Sequence, residues 1–215
     1  MASRFSVRAL RAVLLAAVFL GPPAASAAGT FPYGSFEVAP FIGYQLGGNF
    51  SDLDTGEHYS LNAHSVFALA LDAPADHSSQ YELFYSRQPT VLKGYGLAPL
   101  NVVVEYLHIG GTIPLDDTTR ARPYLAGGLG VSRFSPDNSD GREDTVFSMS
   151  LALGLRAPIT RHLSVRLEGR GLLSFMDSST AVFCHSGQAG AVCHLTAQAS
   201  GQLQFAALAG LAYIF

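Results

Sequence analysis

The stretch LQFAALAGLAYIF, residues 203–215, decides the fold class. Its odd positions, Leu203, Phe205, Ala207, Ala209, Leu211, Tyr213 and Phe215, are all apolar. The interleaved positions, from Gln202 and Gln204 through Ala206, Leu208, Gly210 and Ala212 to Ile214, are small or mixed and include two amides. A period of two puts alternate side chains on opposite faces of an extended chain, so this is a long strand with one greasy face. A strand of this length, closing on an aromatic residue, points to a barrel in a bacterial outer membrane.

The same rhythm recurs upstream. In 147–157, Phe147, Met149, Leu151, Leu153, Leu155 and Ala157 share a face opposite Ser148, Ser150, Ala152, Gly154 and Arg156. In 163–175, Leu163, Val165, Leu167, Leu173 and Phe175 lie opposite Ser164, Arg166, Glu168, Arg170, Leu172 and Ser174. Residues 35–46 set Phe36, Val38, Pro40, Ile42, Tyr44 and Leu46 against Glu37, Ala39, Phe41, Gly43 and Gln45. Further strands are expected over 62–71, 80–88, 100–111 and 122–134, which makes eight. The connections alternate between long and polar (47–61, 89–99, 135–146, 176–198) and short (72–79, 113–121, 158–162), as expected of a barrel with outer loops and periplasmic turns. A soluble β-sandwich also alternates. However, strands of ten or more residues exceed its usual five or six and match the ~9–11 needed to cross a tilted membrane wall. The expected fold is therefore all-β, an eight-stranded antiparallel up-and-down transmembrane barrel.

The N-terminus reads as a removable export signal over residues 1–27. Arg4, Arg8 and Arg11 precede the apolar run Ala12 to Leu20, and Ala25-Ser26-Ala27 fits a small-x-small cleavage site. The barrel is then residues 28–215, or 188 residues (215 − 27). The signal takes three of the 13 basic residues and none of the 16 acidic ones, which leaves −6. No basic cluster suggests nucleic acid. Charged residues make up only 13% and hydrophobic residues 48%, yet no later apolar run reaches the ~20 residues of a membrane helix. Apolarity spread over alternate positions is the barrel pattern.

Cys184 and Cys193 lie in an exported chain, where an oxidising compartment favours a disulfide closing a small loop. Each precedes a histidine, His185 and His194, so a metal site is the alternative, with free thiols a third state. Neighbouring Cys and His point apart on an extended chain, and the usual zinc spacings are missing. No cofactor or metal is expected.

Several motifs carry a resemblance: Tyr85-Ser86-Arg87-Gln88, the run from Glu105 to Gly111, the run from Pro123 to Gly130, and Tyr213-Ile214-Phe215. With the signal peptide and the eight-strand rhythm, the chain resembles the small outer-membrane barrels of Gram-negative bacteria, the superfamily of OmpA-type membrane domains and OmpW. The resemblance covers residues 28–215. It implies that Tyr213 and Phe215 belong to the signal read by the barrel-assembly machinery and that the wall faces outer-membrane lipid. It implies no substrate and leaves the oligomeric state open.

Eight strands leave an interior just wide enough for side chains. With apolar faces turned to lipid, the inward set is expected to hold Glu37, Glu82, Glu105, Arg156, Arg166, Glu168, Arg170 and Gln204. Four acids against three bases are nearly balanced, and unpaired charge in a narrow lumen is costly, so a salt-bridged plug is favoured over a polar channel. A lipid-modifying enzyme is a weaker alternative. His77-Ser78-Ser79 with Glu82 superficially resembles a nucleophile–base set, but it falls on an expected periplasmic turn. Acidic residues in the outer loops (Asp52, Asp54 and Glu57; Asp137, Asp140, Glu143 and Asp144; Asp177) read as a solvated rim, with a binding surface as the alternative.

Overall fold

The computed structural model describes residues 35–47, 49–51, 58–76, 78–93, 100–116, 121–136, 144–175, 184–187, 190–193 and 201–215. The expected signal segment lies outside them, as do the acidic loop residues other than Asp144. Among the described residues there is no helix, and twelve strands are present. Eight form the staves of the barrel: β1 (Glu37–Gln45), β4 (His64–Pro74), β5 (Gln80–Lys93), β6 (Leu100–Pro114), β7 (Arg122–Pro136), β8 (Asp144–Pro158), β9 (Leu163–Ser174) and β12 (Gln202–Ile214). The other four are short. β2 (Asn49–Ser51) and β3 (His58–Leu61) form a ribbon that joins β5, and β10 (Cys184–Gly187) and β11 (Gly190–Cys193) form a separate hairpin.

Each stave pairs antiparallel with its sequence neighbour. β1 pairs with β12, and the β5–β6 pairing completes the ring, so no stave keeps an open edge. The seam is tied at its end by Phe215 N–H donating to the carbonyl of Phe36 at 3.0 Å. In a membrane this closure is obligatory, because lipid offers no partner to an unpaired backbone group.

The stagger of the barrel follows from the pairings. Stepping from Glu37 straight across the staves leads through Asp72, Glu82, Gly110, Gly128, Ser150 and Leu172 to Gln204. Glu37 itself is paired with Ile214. The ladder has climbed ten residues (214 − 204) in one circuit of eight strands. With ~3.3 Å per residue and ~4.8 Å between strands, that stagger tilts the staves by about 40° and gives a backbone radius of about 8 Å. Such a barrel is filled by its own side chains.

The alternation sets what faces where. Odd positions of β8, β9 and β12 face outward, and Leu151, Leu153, Phe205, Leu211 and Tyr213 are half or more exposed. Their even neighbours are buried, as are Glu37, Ala39, Phe41 and Gln45 of β1. The greasy surface is on the outside and the polar one within, the reverse of a soluble sandwich. Two aromatic clusters stand at opposite ends of this wall. Phe147 and Phe175 pack 5.7 Å apart at one end; at the other, Tyr213 stacks on His162 at 6.2 Å and meets Phe215 edge-on at 5.0 Å. Aromatic girdles at both membrane boundaries are typical of such walls.

The strands extend further than the hydrophobic alternation suggests. β5 continues to Lys93, β6 to Pro114, β7 to Pro136, and β8 begins at Asp144. Segment 47–61, expected as loop, contains β2 and β3, and segment 176–198 contains the β10–β11 hairpin. That hairpin sets Cys184 directly opposite Cys193. The thiol side chains, and hence the expected disulfide, lie outside what is described.

Candidate functional site

The charged interior is built on three neighbouring staves and closed by three more across the lumen. Glu37, Asp72 and Glu82 are successive ladder partners on β1, β4 and β5, which places three carboxylates side by side on the inner face. Like charges directly opposite on a sheet repel, so the row needs a counter-charge from across the lumen. Arg166 of β9 supplies it. Its Nη1 donates to Glu37 at 3.0 Å and to Asp72 at 2.6 Å, and Nη2 reaches Glu82 at 3.4 Å and Glu168 at 3.6 Å. Its Nε donates to the Tyr124 hydroxyl at 3.2 Å, which in turn donates to Glu168 at 2.7 Å. The guanidinium sits over the Tyr124 and Phe41 rings at 4.9 and 5.2 Å. Arg166 is fully buried.

Two further arginines extend the layer. Arg170 bridges Glu168 through Nε and Glu82 through Nη2, both at 2.7 Å; it donates to Ser150 at 3.2 Å and covers Phe84 at 3.7 Å. Arg156 donates to Glu37 at 3.1 Å and to Gln80 at 3.4 Å. A planar fork with five donors suits this role better than an ammonium would. Tyr124 has room to lie flat in the layer because its ladder partner is Gly154; a Cβ there would run into the phenol ring. The glycine of 147–157 that breaks an otherwise larger inner face therefore serves as a slot for an aromatic side chain.

The expected inner set is altered at one acid. Glu105 is not in the lumen. Even positions of β6 (Val102, Val104, Tyr106, His108) face inward, so Glu105 faces out, where it accepts from the Tyr85 hydroxyl at 2.6 Å and lies 3.7 Å from Arg87 Nε. Residues 102–104 are three consecutive valines, so β6 offers no alternation there to set the facing of Glu105. The acid that takes its place is Asp72. It follows Val66, Ala68 and Ala70 on the inner face, but its neighbours Ala73-Pro74 read as the start of a turn.

Above the charged layer the inner face becomes neutral. Tyr106 donates to Gln204 Oε1 at 2.6 Å, Gln45 donates to the same oxygen at 3.0 Å, and Ser132 donates to Ser174 at 2.8 Å. Gln88 donates to the carbonyl of Gln45 at 2.9 Å. Oε1 of Gln45, Oε1 of Gln88, both polar atoms of Gln202 and Nε2 of Gln204 are buried without a protein partner.

None of these groups assembles a catalytic set. Ser78 belongs to a turn in which Asp76 Oδ1 accepts the backbone N–H groups of Ser78 and Ser79, both at 2.8 Å, while Glu82 faces the lumen and holds Arg170; His77 lies outside the described residues. Those two N–H groups stabilise the Asp76 carboxylate and hold its pKa below the ordinary value. The turn contact is thus present above the ordinary aspartate range and is lost as pH falls through the lowered pKa. His108 Nε2 meets the Ser148 hydroxyl at 2.8 Å, but no described carboxylate lies on its Nδ1. No group of three or more His, Cys, Asp or Glu among the described residues is arranged to hold a metal ion. Tyr213 and Phe215, expected to be read during assembly, are exposed on the outer wall at the β1–β12 seam.

No protein-family model and no curated protein sequence matches the chain. Among solved structures, Neisserial surface protein A is similar, with a TM-score of 0.57 at 13% identity over 85% of this chain and 97% of that one. The outer membrane protein OprG from Pseudomonas aeruginosa is similar at a TM-score of 0.55 and 10% identity, over 85% and 96%. The fold is that of the small outer-membrane barrels. At these identities the likeness concerns architecture and leaves chemistry to the residues themselves.

Proposed function

We propose that this chain resides in a bacterial outer membrane as a closed barrel with a structural or surface-presenting role and no catalytic activity. The observation that carries the reading is Arg166, whose single guanidinium reaches four carboxylates and a tyrosine across the interior of a barrel about 8 Å in backbone radius. A layer so cross-linked leaves no continuous path for water. The outer-membrane setting is supported by the outward apolar wall, the two aromatic clusters and the neighbours of the same fold. The wild-type protein in planar bilayers is expected to give no stepwise current. A reproducible unitary conductance would overturn the closed reading and favour a narrow channel, a reading supported by the buried polar atoms of Gln45, Gln88, Gln202 and Gln204 that have no protein partner.

The β10–β11 hairpin is proposed to carry a disulfide between Cys184 and Cys193. Residues directly opposite on antiparallel strands have Cα atoms about 4.5–5.5 Å apart, within the range a disulfide accepts. The oxidised protein is expected to resist alkylation until it is reduced. Labelling of both thiols without reductant would refute the pairing.

A further inference from the structure

Four glutamines meet inside the barrel above the arginine layer, and their hydrogen bonds do not close. Gln45, Gln88, Gln202 and Gln204 are each at most 1% exposed. Gln45 and Gln204 share one bond of 3.0 Å, and Gln204 Oε1 also accepts from Tyr106 at 2.6 Å. Gln88 uses its Nε2 on the carbonyl of Gln45 at 2.9 Å. Five amide atoms then have no protein partner: Oε1 of Gln45, Gln88 and Gln202, and Nε2 of Gln202 and Gln204. Exchanging oxygen and nitrogen within an amide does not remove the deficit. Gln45 and Gln204 share a single bond in either orientation, and Gln202 has no partner for either atom.

The stagger brings three of these amides to one level and the fourth just above it. At a tilt of about 40°, one residue along a stave climbs ~2.5 Å and one ladder step toward the next stave climbs ~3 Å. On that scale Gln45, Gln88 and Gln204 stand roughly 20 Å above Glu37, and Gln202 about 5 Å higher. Arg170, the highest residue of the charged layer, stands at roughly 13 Å. Val66, Leu172 and Ala206 face inward between the two levels, and Val102, Val104 and Phe134 face inward above the glutamines. The amides thus form a polar level between two apolar ones. Room at this level comes from the opposite staves, which carry only Ser132, Ser148 and Ser174 there, where the lower layer packs Tyr124 and three arginines.

Buried amide atoms left unpaired are costly, and side chains on the inner face of a closed ring cannot turn out to solvent. The open groups are neutral and of both kinds, three acceptors and two donors. An ion would need a counter-charge, and the carboxylates of the lower layer are already engaged by its arginines. A water molecule donates and accepts at once, and a buried water takes about three hydrogen bonds from such groups. We infer that the barrel encloses a cluster of about two or three ordered water molecules, bound by the side chains of Gln45, Gln88, Gln202 and Gln204. The apolar levels above and below confine the cluster. It completes the hydrogen bonding of the amides without a channel, and it rests on the closed-barrel reading above.

The full chain, labelled with nitrogen-15, is refolded into nanodiscs of deuterated phospholipid, and closure is verified by the change in gel mobility on heating. Cross-relaxation from water protons to the glutamine side-chain amides is recorded in the laboratory frame and in the rotating frame. The wild type is expected to show water cross-peaks of opposite sign in the two frames at the Gln202 and Gln204 amides, the signature of water that turns with the protein. Q88M with Q202M removes three of the five open atoms and is expected to lose the cross-peak at Gln204. The Tyr106 hydroxyl is untouched in that variant, so a cross-peak that persists at Gln204 would be assigned to hydroxyl exchange and would overturn the water site. The wild-type measurement decides the matter whether or not the variant closes. Amides of Gln202 and Gln204 that show no water cross-peak in the closed wild type would overturn the cluster. Cross-peaks of equal sign would identify freely exchanging solvent in an open vestibule, which overturns the enclosed cluster and leaves the arginine layer standing as the seal. A unitary current through the wild type in planar bilayers would overturn the closed reading and the cluster with it.

Discussion

Arg166→Met is expected to destabilise the barrel by about 3–5 kcal/mol, the usual cost of removing one partner from a buried ionic group. The methionine fills much of the arginine's space, so the loss is not chiefly a cavity effect. It arises because Glu37, Asp72 and Glu82 remain side by side on adjacent staves with their shared counter-charge gone. Arg156 still reaches Glu37 and Arg170 still holds Glu82, but among the described residues Asp72 hydrogen-bonds to Arg166 alone. Adding Asp72→Asn to the Met variant is therefore expected to recover a substantial part of the loss, as a coupled pair should. Urea titration of the closed barrel in vesicles, read by the gel-mobility shift, measures both. Glu105→Gln provides the contrast. Its pair with Arg87 is exposed, and exposed pairs contribute at most about 1 kcal/mol. A Met variant as stable as wild type, or no recovery in the double variant, would show that the layer is not what locks the interior.

The two glutamates also show what was legible in the sequence and what was not. Where a stave alternates cleanly, as in 147–157 and 163–175, the inner face could be read residue by residue, and Arg156, Arg166, Glu168 and Arg170 all point inward. Alternation is informative there because an apolar outer wall and a packed polar interior impose opposite demands on successive residues. β6 lacks that contrast between Val102 and Val104, so the facing of Glu105 depended on register, which only the pairing to β5 and β7 supplies. Asp72 was hidden for another reason. An acid followed by Ala-Pro is good turn chemistry, and only the extension of β4 to Pro74 keeps it in the ladder. The extensions of β5 through β8 escape the hydrophobic alternation because both faces of a strand that continues past the apolar wall can meet water and no hydrophobic period is required. The keystone role of Arg166 was not readable at all. It depends on a ten-residue stagger that brings β9 opposite β1, β4 and β5, and stagger is a property of the closed ring rather than of any one strand.

Removing two of the three arginines is expected to turn the closed barrel into a cation-selective pore. In the layer, four carboxylates (Glu37, Asp72, Glu82, Glu168) face three guanidiniums (Arg156, Arg166, Arg170), a formal net charge of −1. Arg166→Ala with Arg170→Ala leaves four acids and Arg156, a net of −3. Each truncation frees the space of a guanidinium and its methylenes, room for several waters at ~30 Å³ each. Uncompensated carboxylates draw that water in, since burying them dry costs far more. Toward the outer mouth the inner face already carries polar atoms without protein partners on Gln45, Gln88, Gln202 and Gln204, so a hydrated lower layer has a polar continuation above it. Bilayer recordings of the double variant under a potassium chloride gradient are expected to show unitary currents absent from the wild type, with a reversal potential of the sign set by potassium. Selectivity follows from the excess carboxylates, so adding Glu37→Gln and Glu82→Gln, which brings the formal charge of the layer to −1 again, is expected to reduce it while keeping the currents. Anion-selective currents would contradict the charge assignment of the layer. A double variant that inserts and closes yet remains electrically silent would place the seal elsewhere, in the apolar group of Val102, Val104 and Phe134 above the glutamines.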